Sequence, residues 1–561
     1  MTYEKDIPDF ALMPARQPEE RVLIPVTQGA VYSPVQVTNI IEKPKTVIVL
    51  EEDILVPDTR PDLKEILDIS GKVRFSSREM EAVSKTAEPV TLAGEIELQT
   101  LYIPEKSGPC GPVIATSSRI VFREPWHTSV APGAVLTMDA AIDNISCMVI
   151  NERKYRVKVT VSVSARECQD QRLEIFEGIS GEDIQTLRET VEITNIALRK
   201  KDIITIKETL EERDGLLPAE TVLRQDIHVV ENYRQAAAEK VIINGFICVS
   251  LLCLSPVKSA DAESGEADGT GCSTLYQRQD RVEFTQFIPL NQSGQWSGCS
   301  AVFDSSDLRV KMVQNEEGRT VLQLEGDILT WIEVYRNSEK EFIADGYHRQ
   351  KDFVCDFEEA ACRTLAASAC GETAVREVFS LESPKGEAEE ILYAAAEIAG
   401  AESSVEPGRV VTEGTLQGKM LCRGTEPEGG SVVFMVQQEI PFRCVTVLPQ
   451  LSGGEIASHR IYLKDLWAEK SGSRQAELNA SLLVCTEVMQ QTPLKVLKNP
   501  AFEEVQGVRP QPKQMAVYIT REGDSLWSVA KQFKTTADSI SRVNQLESST
   551  LAGGQKLLIL R

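Results

Sequence analysis

The chain has 561 residues, of which 42% are hydrophobic and 26% are charged, and its formal net charge is −24 at pH 7. This composition is typical of globular domains, and the length predicts about four of them. A negative charge of this size repels phosphate groups, so we expect no nucleic-acid partner and no general attraction to an anionic membrane surface.

Residues 1–40 are predicted to form an N-terminal arm. The opening sequence, MTYEKDIPDFALMPARQPEE, has acidic residues where a secretory signal needs positive charge, and it lacks a continuous apolar stretch. No apolar run of about 18 residues occurs in the chain, so we expect no transmembrane segment. These features predict a cytoplasmic location.

The region after the arm contains three copies of one β-rich unit, with predicted boundaries at 41–178, 190–338 and 340–492. Its most regular strand has the sequences VTLAGEIELQTLYI (90–103), VIINGFICVSLLCL (241–254) and VVTEGTLQGKMLCR (410–423). Glycine is the fifth residue of each copy: Gly94, Gly245 and Gly414. A glycine within a strand marks a bulge or a close backbone approach, and we interpret these three as bends that let the sheet curl.

A second repeated block lies upstream of each glycine-containing strand. Its copies are EEDILVPDTRPDLKEIL (51–67), IKETLEERDGLLPAETVL (206–223) and REVFSLESPKGEAEEIL (376–392), and each ends in an aliphatic pair. Each unit closes with an alternating strand, at 155–165, 321–334 and 476–488, whose period of two predicts half-buried antiparallel pairing. The predicted fold class is therefore mainly β, with three antiparallel modules that each form a sandwich or a barrel.

Two segments depart from this pattern. Residues 259–274, SADAESGEADGTGCST, are small and acidic and are predicted to be a mobile hairpin loop. Residues 493–515 have little periodicity and contain four prolines, so we predict a partly extended linker that holds the last domain at a distance.

The cysteines give no sign of a disulfide framework or a zinc site. Thirteen occur, an odd number, with no CxxC motif and no regular spacing. We expect them to be reduced thiols, and the ones within apolar strand patterns to be buried in cores: Cys248, Cys253, Cys422 and Cys485.

The last segment, 516–561, has the order strand, helix, helix, strand. A strand at Val517 and Ile519 meets Gly523-Asp524-Ser525, which supplies a tight turn and a side-chain oxygen that caps the first helix. We expect Asp524 to supply this cap oxygen. A second helix start follows at Thr535-x-x-Asp538, and a final strand centres on Leu557 and Ile559. The predicted βααβ unit is the most specific feature of the chain.

This βααβ pattern resembles the LysM family, whose members bind N-acetylglucosamine-containing glycans, or occasionally a protein, in a shallow groove between two loops. The resemblance implies a first groove loop of Gly523, Asp524, Ser525 and Leu526. It implies a second groove loop of Asn544, Leu546, Leu551, Ala552 and Gly553. The family usually has proline at the position of Gly553, so the second loop should be less fixed here. Trp527 lies one position off the inward helical stripe, and we expect it to be half-buried against the strands rather than at the groove edge.

The repeated proline-turn blocks, glycine-containing strands and terminal LysM segment together resemble the SPOCS-domain proteins of anaerobic endospore formers. The block at 51–67 is the sharpest part of this resemblance, whereas the third unit departs from it with ESPKGEAEEIL. The resemblance implies a role in spore coat assembly at the forespore surface, in the mother-cell cytoplasm. It implies as partners a sporulation ATPase that polymerises around the forespore, and spore coat proteins.

Catalytic and metal-binding motifs are missing from the sequence. Its four histidines stand alone, without HExxH spacing, and no glycine-rich phosphate loop occurs. Glu51-Glu52-Asp53 and Glu211-Glu212 are acidic pairs within the repeated blocks, where a solvated strand face is the favoured interpretation. We therefore expect a non-catalytic scaffold or adaptor without cofactor or metal. The alternative is a cell-surface protein held on peptidoglycan by its LysM segment.

Overall fold

Antiparallel strands form most of the structure, and only two short helices occur among the described residues, which confirms the mainly β expectation. The computed structural model describes residues 21–26, 29–81, 90–106, 112–180, 182–210, 219–255, 274–315, 318–383, 386–426, 430–472, 474–505, 515–546, 548 and 550–560. Two predicted features, the pair Glu211-Glu212 and the acidic loop up to residue 273, lie outside these residues.

The first unit is a sandwich of two sheets, ordered β2-β8-β7-β4 and β3-β5-β6. Apolar residues from both sheets, such as Val159 of β8 and Ile96 of β5, meet in its buried core. Strand β1 (Arg21–Pro25) precedes this unit and belongs to neither of its sheets. The strands of the unit are β2 (Ala30–Leu55), β3 (Leu63–Phe75), β4 (Glu79–Glu81), β5 (Val90–Pro104), β6 (Ile114–Trp126), β7 (Val135–Asn151) and β8 (Lys154–Ile179).

The second unit repeats this arrangement. Its sheet β10-β11-β12 packs on a sheet in which β15 pairs with β9, β13 and β14. The strands are β9 (Ile184–Thr209), β10 (Thr221–Ala236), β11 (Lys240–Ser255), β12 (Thr274–Pro289), β13 (Gly298–Asp304), β14 (Arg309–Gln314) and β15 (Thr320–His348).

The third unit packs the sheet β17-β18-β19-β20 on β16, β22 and β21. Its strands are β16 (Asp352–Ser380), β17 (Glu382–Ser383), β18 (Gly386–Glu406), β19 (Arg409–Thr425), β20 (Ser431–Val447), β21 (Ile456–Lys470) and β22 (Gln475–Val505). The C-terminal domain follows with β23 (Met515–Ile519), α1 (Leu526–Phe533), α2 (Ala537–Asn544) and β24 (Lys556–Leu560).

The repeated glycines allow a phenylalanine ring to pack against the strand. Each glycine is the cross-strand partner of a phenylalanine, in the pairs Gly94 with Phe122, Gly245 with Phe284 and Gly414 with Phe442. A Cβ atom on any of the glycines would lie 2.4 Å from a backbone oxygen and within 3.0 Å of the ring. The register to the phenylalanine strands continues without a shift, so the glycines allow a close approach of the ring. The strand on the other side is bulged beside the glycine in two units, between Glu231 and Tyr233 and between Ile398 and Gly400, which agrees with the predicted bend.

Gly245→Ala is expected to lower the free energy of unfolding by about 1–3 kcal/mol, the usual cost of overpacking. The added methyl would meet the Val230 oxygen at 2.4 Å and the Phe284 ring at 2.9 Å. Urea denaturation measures the loss. Gly400→Ala on β18 is the matched control, because nothing lies within 4 Å of its Cβ position. An equal loss in both variants would contradict the packing role.

The three units share two further cores. In the first, one leucine of each predicted aliphatic pair, Leu67, Leu223 and Leu392, meets the ends of the glycine-containing strands. In the second, the outer halves of the long pairs β2 with β8, β9 with β15 and β16 with β22 pack together around Val37, Ile193 and Val496. These shared cores bury surface that separate units would expose to water.

The long strands extend beyond the predicted unit boundaries. Residues 30–40 of the predicted arm belong to β2, and residues 493–505 of the predicted linker belong to β22, which pairs with β16 and β1. The prolines of this stretch are accommodated within β22, where Pro493 lies opposite Ala361. Residues 506–514, the rest of the predicted linker, lie outside the described residues.

A buried charged cluster lies where the three units meet. Arg224 of β10 is 2% exposed, and its guanidinium donates to Asp68 of β3 and, at 2.9 Å, to Asp226. The Tyr393 hydroxyl of β18 donates to Asp226 at 2.5 Å. Burial by itself would raise the pKa of Asp226, but the Arg224 charge outweighs this and holds the pKa below its usual value. Lys419 of β19 adds a second cation 3.2 Å from Asp68.

One expectation about the cysteines is wrong. Cys485 of β22 lies directly opposite Cys370 of β16, and the two form a disulfide. Because they are 115 residues apart, the spacing of cysteines along the chain gives no sign of the pair. The other three cysteines singled out are free, and burial raises the pKa of Cys253 to about 11 and that of Cys422 to about 12.

Candidate functional site

The C-terminal domain is built around a small apolar core beneath its two loops. Strands β23 and β24 pair antiparallel, and helices α1 and α2 contribute Val529, Ala530 and Ile540, each at most 1% exposed. Leu557 and Ile559 of β24 complete the core. The predicted βααβ order is therefore observed.

Ser525, and not Asp524, caps helix α1. The Ser525 hydroxyl accepts from the Ser528 N–H at 3.0 Å, and the Ser528 hydroxyl accepts from the Ser525 N–H at 2.9 Å. Asp524 closes the preceding turn, where its carboxylate accepts from the Arg521 N–H at 2.7 Å and from the Tyr518 hydroxyl at 2.8 Å. These hydrogen bonds lower the pKa of Asp524, and the one from the Arg521 N–H has the largest effect.

Helix α2 begins one residue later than the sequence predicts. Thr536 is its cap, and the Thr536 hydroxyl accepts from the Ser539 N–H at 3.1 Å. Thr535 instead donates its hydroxyl to the Leu560 oxygen at 2.8 Å, which ties the helix start to β24. Because Thr535 and Thr536 are adjacent and identical, the sequence alone does not show which of them caps the helix.

Asn544 has an internal role in the second predicted groove loop. Its amide donates to the oxygens of Ile540 and Leu558, both at 2.8 Å, and its Oδ1 accepts from the Leu558 N–H at 2.7 Å. Leu546 and Leu551 are half-buried and pack against the core. These residues hold the predicted groove loop in position.

The structure brings the two predicted loops together. Ser525 forms an isolated β-bridge with Thr550, and a Cβ atom on Gly553 would lie 3.6 Å from the nitrogen of Glu522. Thr520, 3% exposed, links the loops, because its hydroxyl donates to the Ala552 oxygen at 2.5 Å and accepts from the Gln555 N–H at 2.9 Å. Thr520 was not among the predicted site residues, because its only signal in the sequence is a β-branched residue between a strand and a glycine turn.

Gly553 lies in a turn that proline also favours. The Gln555 N–H donates to the Ala552 oxygen at 3.3 Å, and Gly554, third in the turn, has φ of 82°. This is the pattern of a type II turn, in which proline is common at the second position, here Gly553. The departure from the family's usual proline therefore leaves the turn geometry intact.

The two predicted groove loops differ in how far their residues are exposed. Gly523, Ser525, Ala552 and Gly553 are exposed, Asp524 is half-buried and Leu526 is 9% exposed. This arrangement suits shape recognition and hydrogen bonding of a polar ligand with apolar patches.

The C-terminal domain packs directly against the repeat body. Trp527 donates its ring N–H to Asp345 at 2.9 Å, and its ring centroid lies 5.0 Å from that of Tyr347, at the end of β15. The Tyr347 hydroxyl donates to the Thr535 oxygen at 2.5 Å, and Lys531 donates to both oxygens of Asp345. Trp527 is half-buried, but it lies against Tyr347 and not only against its own strands. The expectation that the domain is held at a distance is therefore wrong.

The other titratable candidates have ordinary structural partners. His228 lies 2.7 Å from the Leu463 oxygen, His348 accepts from two backbone N–H groups, and His459 contacts Ser403. Asp53 is bonded to Arg156 and Lys154, and the Arg156 hydrogen bond above all lowers its pKa. Within the described residues, no group of three or more potential metal ligands occurs. No helix among those residues is long and apolar enough to cross a membrane.

Comparison with known proteins assigns the C-terminal domain alone. No curated protein and no solved structure matches the chain. The resemblance of the repeats to SPOCS domains therefore stays a prediction. Residues 518–560 match the LysM domain family, in agreement with the βααβ fold and the two apposed loops, so this part of the chain is a LysM domain.

Proposed function

We propose that the chain is a non-catalytic adaptor of spore coat assembly, in which the repeat body presents the LysM groove to a partner at the forespore surface. A LysM domain supports a glycan-binding role. The observation that favours an adaptor is the docking of the domain through Trp527, Lys531 and Thr535, which leaves Ser525, Ala552 and Gly553 exposed. A docked domain presents its groove in a fixed direction relative to the body.

The partners in this proposal are the sporulation ATPase and spore coat proteins, met in the mother-cell cytoplasm. The support is the repeated block at 51–67 and its counterparts, which resemble SPOCS domains. In the cytoplasm the LysM groove would not meet wall glycan, so it would need another ligand. The exposed backbone of its loops can hydrogen-bond a protein segment as well as a sugar. Several binding surfaces on one chain would raise the overall affinity through effective concentration.

A second candidate is a cell-surface protein held on peptidoglycan by the LysM domain. The disulfide between Cys370 and Cys485 favours it, because disulfides persist mainly in oxidising compartments. The glycan-binding role that a LysM domain supports also fits this candidate.

One pair of variants tests both candidates. Ala552→Glu places a charge on an exposed groove residue, and Val517→Glu places the same charge on the 68% exposed outer side of β23. Each chain is assayed for capture of the sporulation ATPase and for sedimentation with purified peptidoglycan. The adaptor proposal expects ATPase capture that Ala552→Glu alone reduces. If peptidoglycan sedimentation depends on the groove and no ATPase is captured, the second candidate replaces the adaptor proposal. If the chain shows neither ATPase capture nor sedimentation, both candidates are overturned.

A further inference from the structure

A large cleft opens between the first and second units, far along the chain from the LysM domain. Its volume is about 1030 Å³, and one wall is the continuous run 71–78, the end of β3 and the turn after it. The facing wall is formed by 302–306, the end of β13 and the two residues after it, and by Trp331 of β15. Ile398 of β18 comes from the third unit.

Strand β3 presents a free edge to this cleft. Within the described residues β3 pairs with β5 on one side only. Ser76 donates its N–H to the Ala93 oxygen of β5, so the backbone groups of alternate residues, those of Val73 and Phe75, point away from β5. Residues 71–78 line the cleft without a break, as expected where the unpaired edge of a strand forms the wall. The backbone groups of Val73 and Phe75 therefore face the cleft.

The unpaired charge in the cleft is positive. Lys72, Arg74 and Lys201 are exposed, and among the described residues no carboxylate lies within 4.0 Å of their nitrogens. Lys72 donates to the Ile227 oxygen at 3.2 Å, and Lys201 lies 5.3 Å from the centre of the Trp331 ring. Much of Lys72 is exposed, but protein atoms packed around its ammonium group lower its pKa, against the opposing effect of the more distant carboxylates of Asp226, Glu97 and Asp304.

The acidic residues of the cleft already have partners. Asp139 pairs with Arg78, and Glu95 lies 3.4 Å from Arg119. Asp304 accepts from the Ser306 N–H at 2.9 Å, and Glu397 lies 3.7 Å from Lys419. The lining holds as many carboxylates as cations, but three of its four cations, Lys72, Arg74 and Lys201, have no ion pair among the described residues and can accept an added carboxylate.

We propose that the cleft binds an extended acidic peptide segment of a partner protein, which pairs with the free edge of β3 and places alternate carboxylates on Lys72 and Arg74. Side chains two residues apart on a strand lie about 7 Å apart, on β3 and on the peptide alike. Edge pairing supplies the backbone hydrogen bonds, and the alternating charges supply the specificity. The intervening side chains point to the opposite face, where the half-buried Val73 and Phe75 line the cleft and offer apolar contacts.

The test uses the full chain and a short labelled peptide in which glutamate alternates with valine, followed by fluorescence anisotropy. The same peptide with glutamine in place of glutamate is expected to bind at least about tenfold more weakly. N-methylation of alternate backbone nitrogens should weaken binding as well, because it removes the donors that pair with β3. Equal binding of the glutamine peptide would overturn the proposal, and equal binding of the methylated peptide would overturn the strand pairing.

Variants of the chain locate the site. The double variant Lys72→Gln, Arg74→Gln is expected to bind the acidic peptide about tenfold more weakly than the wild type. The matched control is Lys64→Gln with Arg123→Gln, which removes the same charge from exposed positions of the first unit outside the cleft. The proposal would be overturned if both double variants lost similar affinity for the peptide, or if the cleft double variant lost none. This test does not depend on the LysM groove, because the chain with Ala552→Glu should bind the peptide as tightly as the wild type.

Discussion

Arg224→Ala is expected to lower the free energy of unfolding by about 3–5 kcal/mol, the usual cost of removing one partner from a buried ion pair. The side chain is 2% exposed and stands between Asp68, 3% exposed, and Asp226. Its removal leaves two carboxylates at a junction of three units, of which Asp68 keeps Lys419 at 3.2 Å. Urea denaturation of the full chain measures the loss.

Two controls sharpen this experiment. Arg443→Ala removes an arginine that is 57% exposed and 3.1 Å from Glu413, and such surface pairs contribute only about 0–1 kcal/mol. Adding Asp68→Asn to Arg224→Ala should restore part of the loss, since one buried charge is then gone. If the two arginine variants lost the same stability, the central cluster would not hold the units together.

The cluster also predicts a dependence on pH. The pKa of Asp226 in the folded chain is held below its usual value by Arg224, although burial alone would raise it. A depressed carboxyl pKa stabilises the fold above the unfolded value of about 3.9, and this contribution is lost as the pH falls through the folded value. The stability difference between the wild type and Arg224→Ala should therefore shrink in acid.

Tyr347→Ala is expected to undock the LysM domain and to give it an unfolding transition separate from that of the body. Tyr347 is 5% exposed, packs its ring on Trp527 and donates to Thr535. Its burial raises its pKa to about 12. Truncation of a large buried aromatic costs about 3–5 kcal/mol, here mostly at the docking contact.

Calorimetry and Trp527 fluorescence measure this change. The control is Tyr32→Ala, which truncates a 40% exposed tyrosine that meets Phe176 edge-on at 5.8 Å. Asp345→Asn should have a milder effect, because the Lys531 ion pair is lost while the Tyr347 ring stays in place. A single transition at the wild-type temperature in Tyr347→Ala would show that the contact does not couple the LysM domain to the body.

The local part of the structure could be predicted because it depends on neighbouring residues. Alternation of apolar and polar residues at 155–165 predicts a half-buried strand, and β8 has that pattern. The spacing around Gly523 and Leu526 predicts a turn followed by a helix, and α1 begins at Leu526. The errors at this level are small, such as Asp524 for Ser525 and Thr535 for Thr536, because adjacent polar residues have nearly equal capping propensity.

The sequence by itself determined that this protein is mainly β, that one unit recurs three times and that a LysM domain ends the chain. It could show that Leu67 is buried, but not that Leu67 meets Leu223 and Leu392, because periodicity identifies a buried face and not its partner. Only the tertiary structure joined Arg224 to Asp68, 156 residues apart, and Trp527 to Asp345, 182 residues apart. Contacts at such separations depend on how whole sheets pack, so only the folded chain decides which charges neutralise each other, which cations stay without an ion pair and how the LysM domain is held.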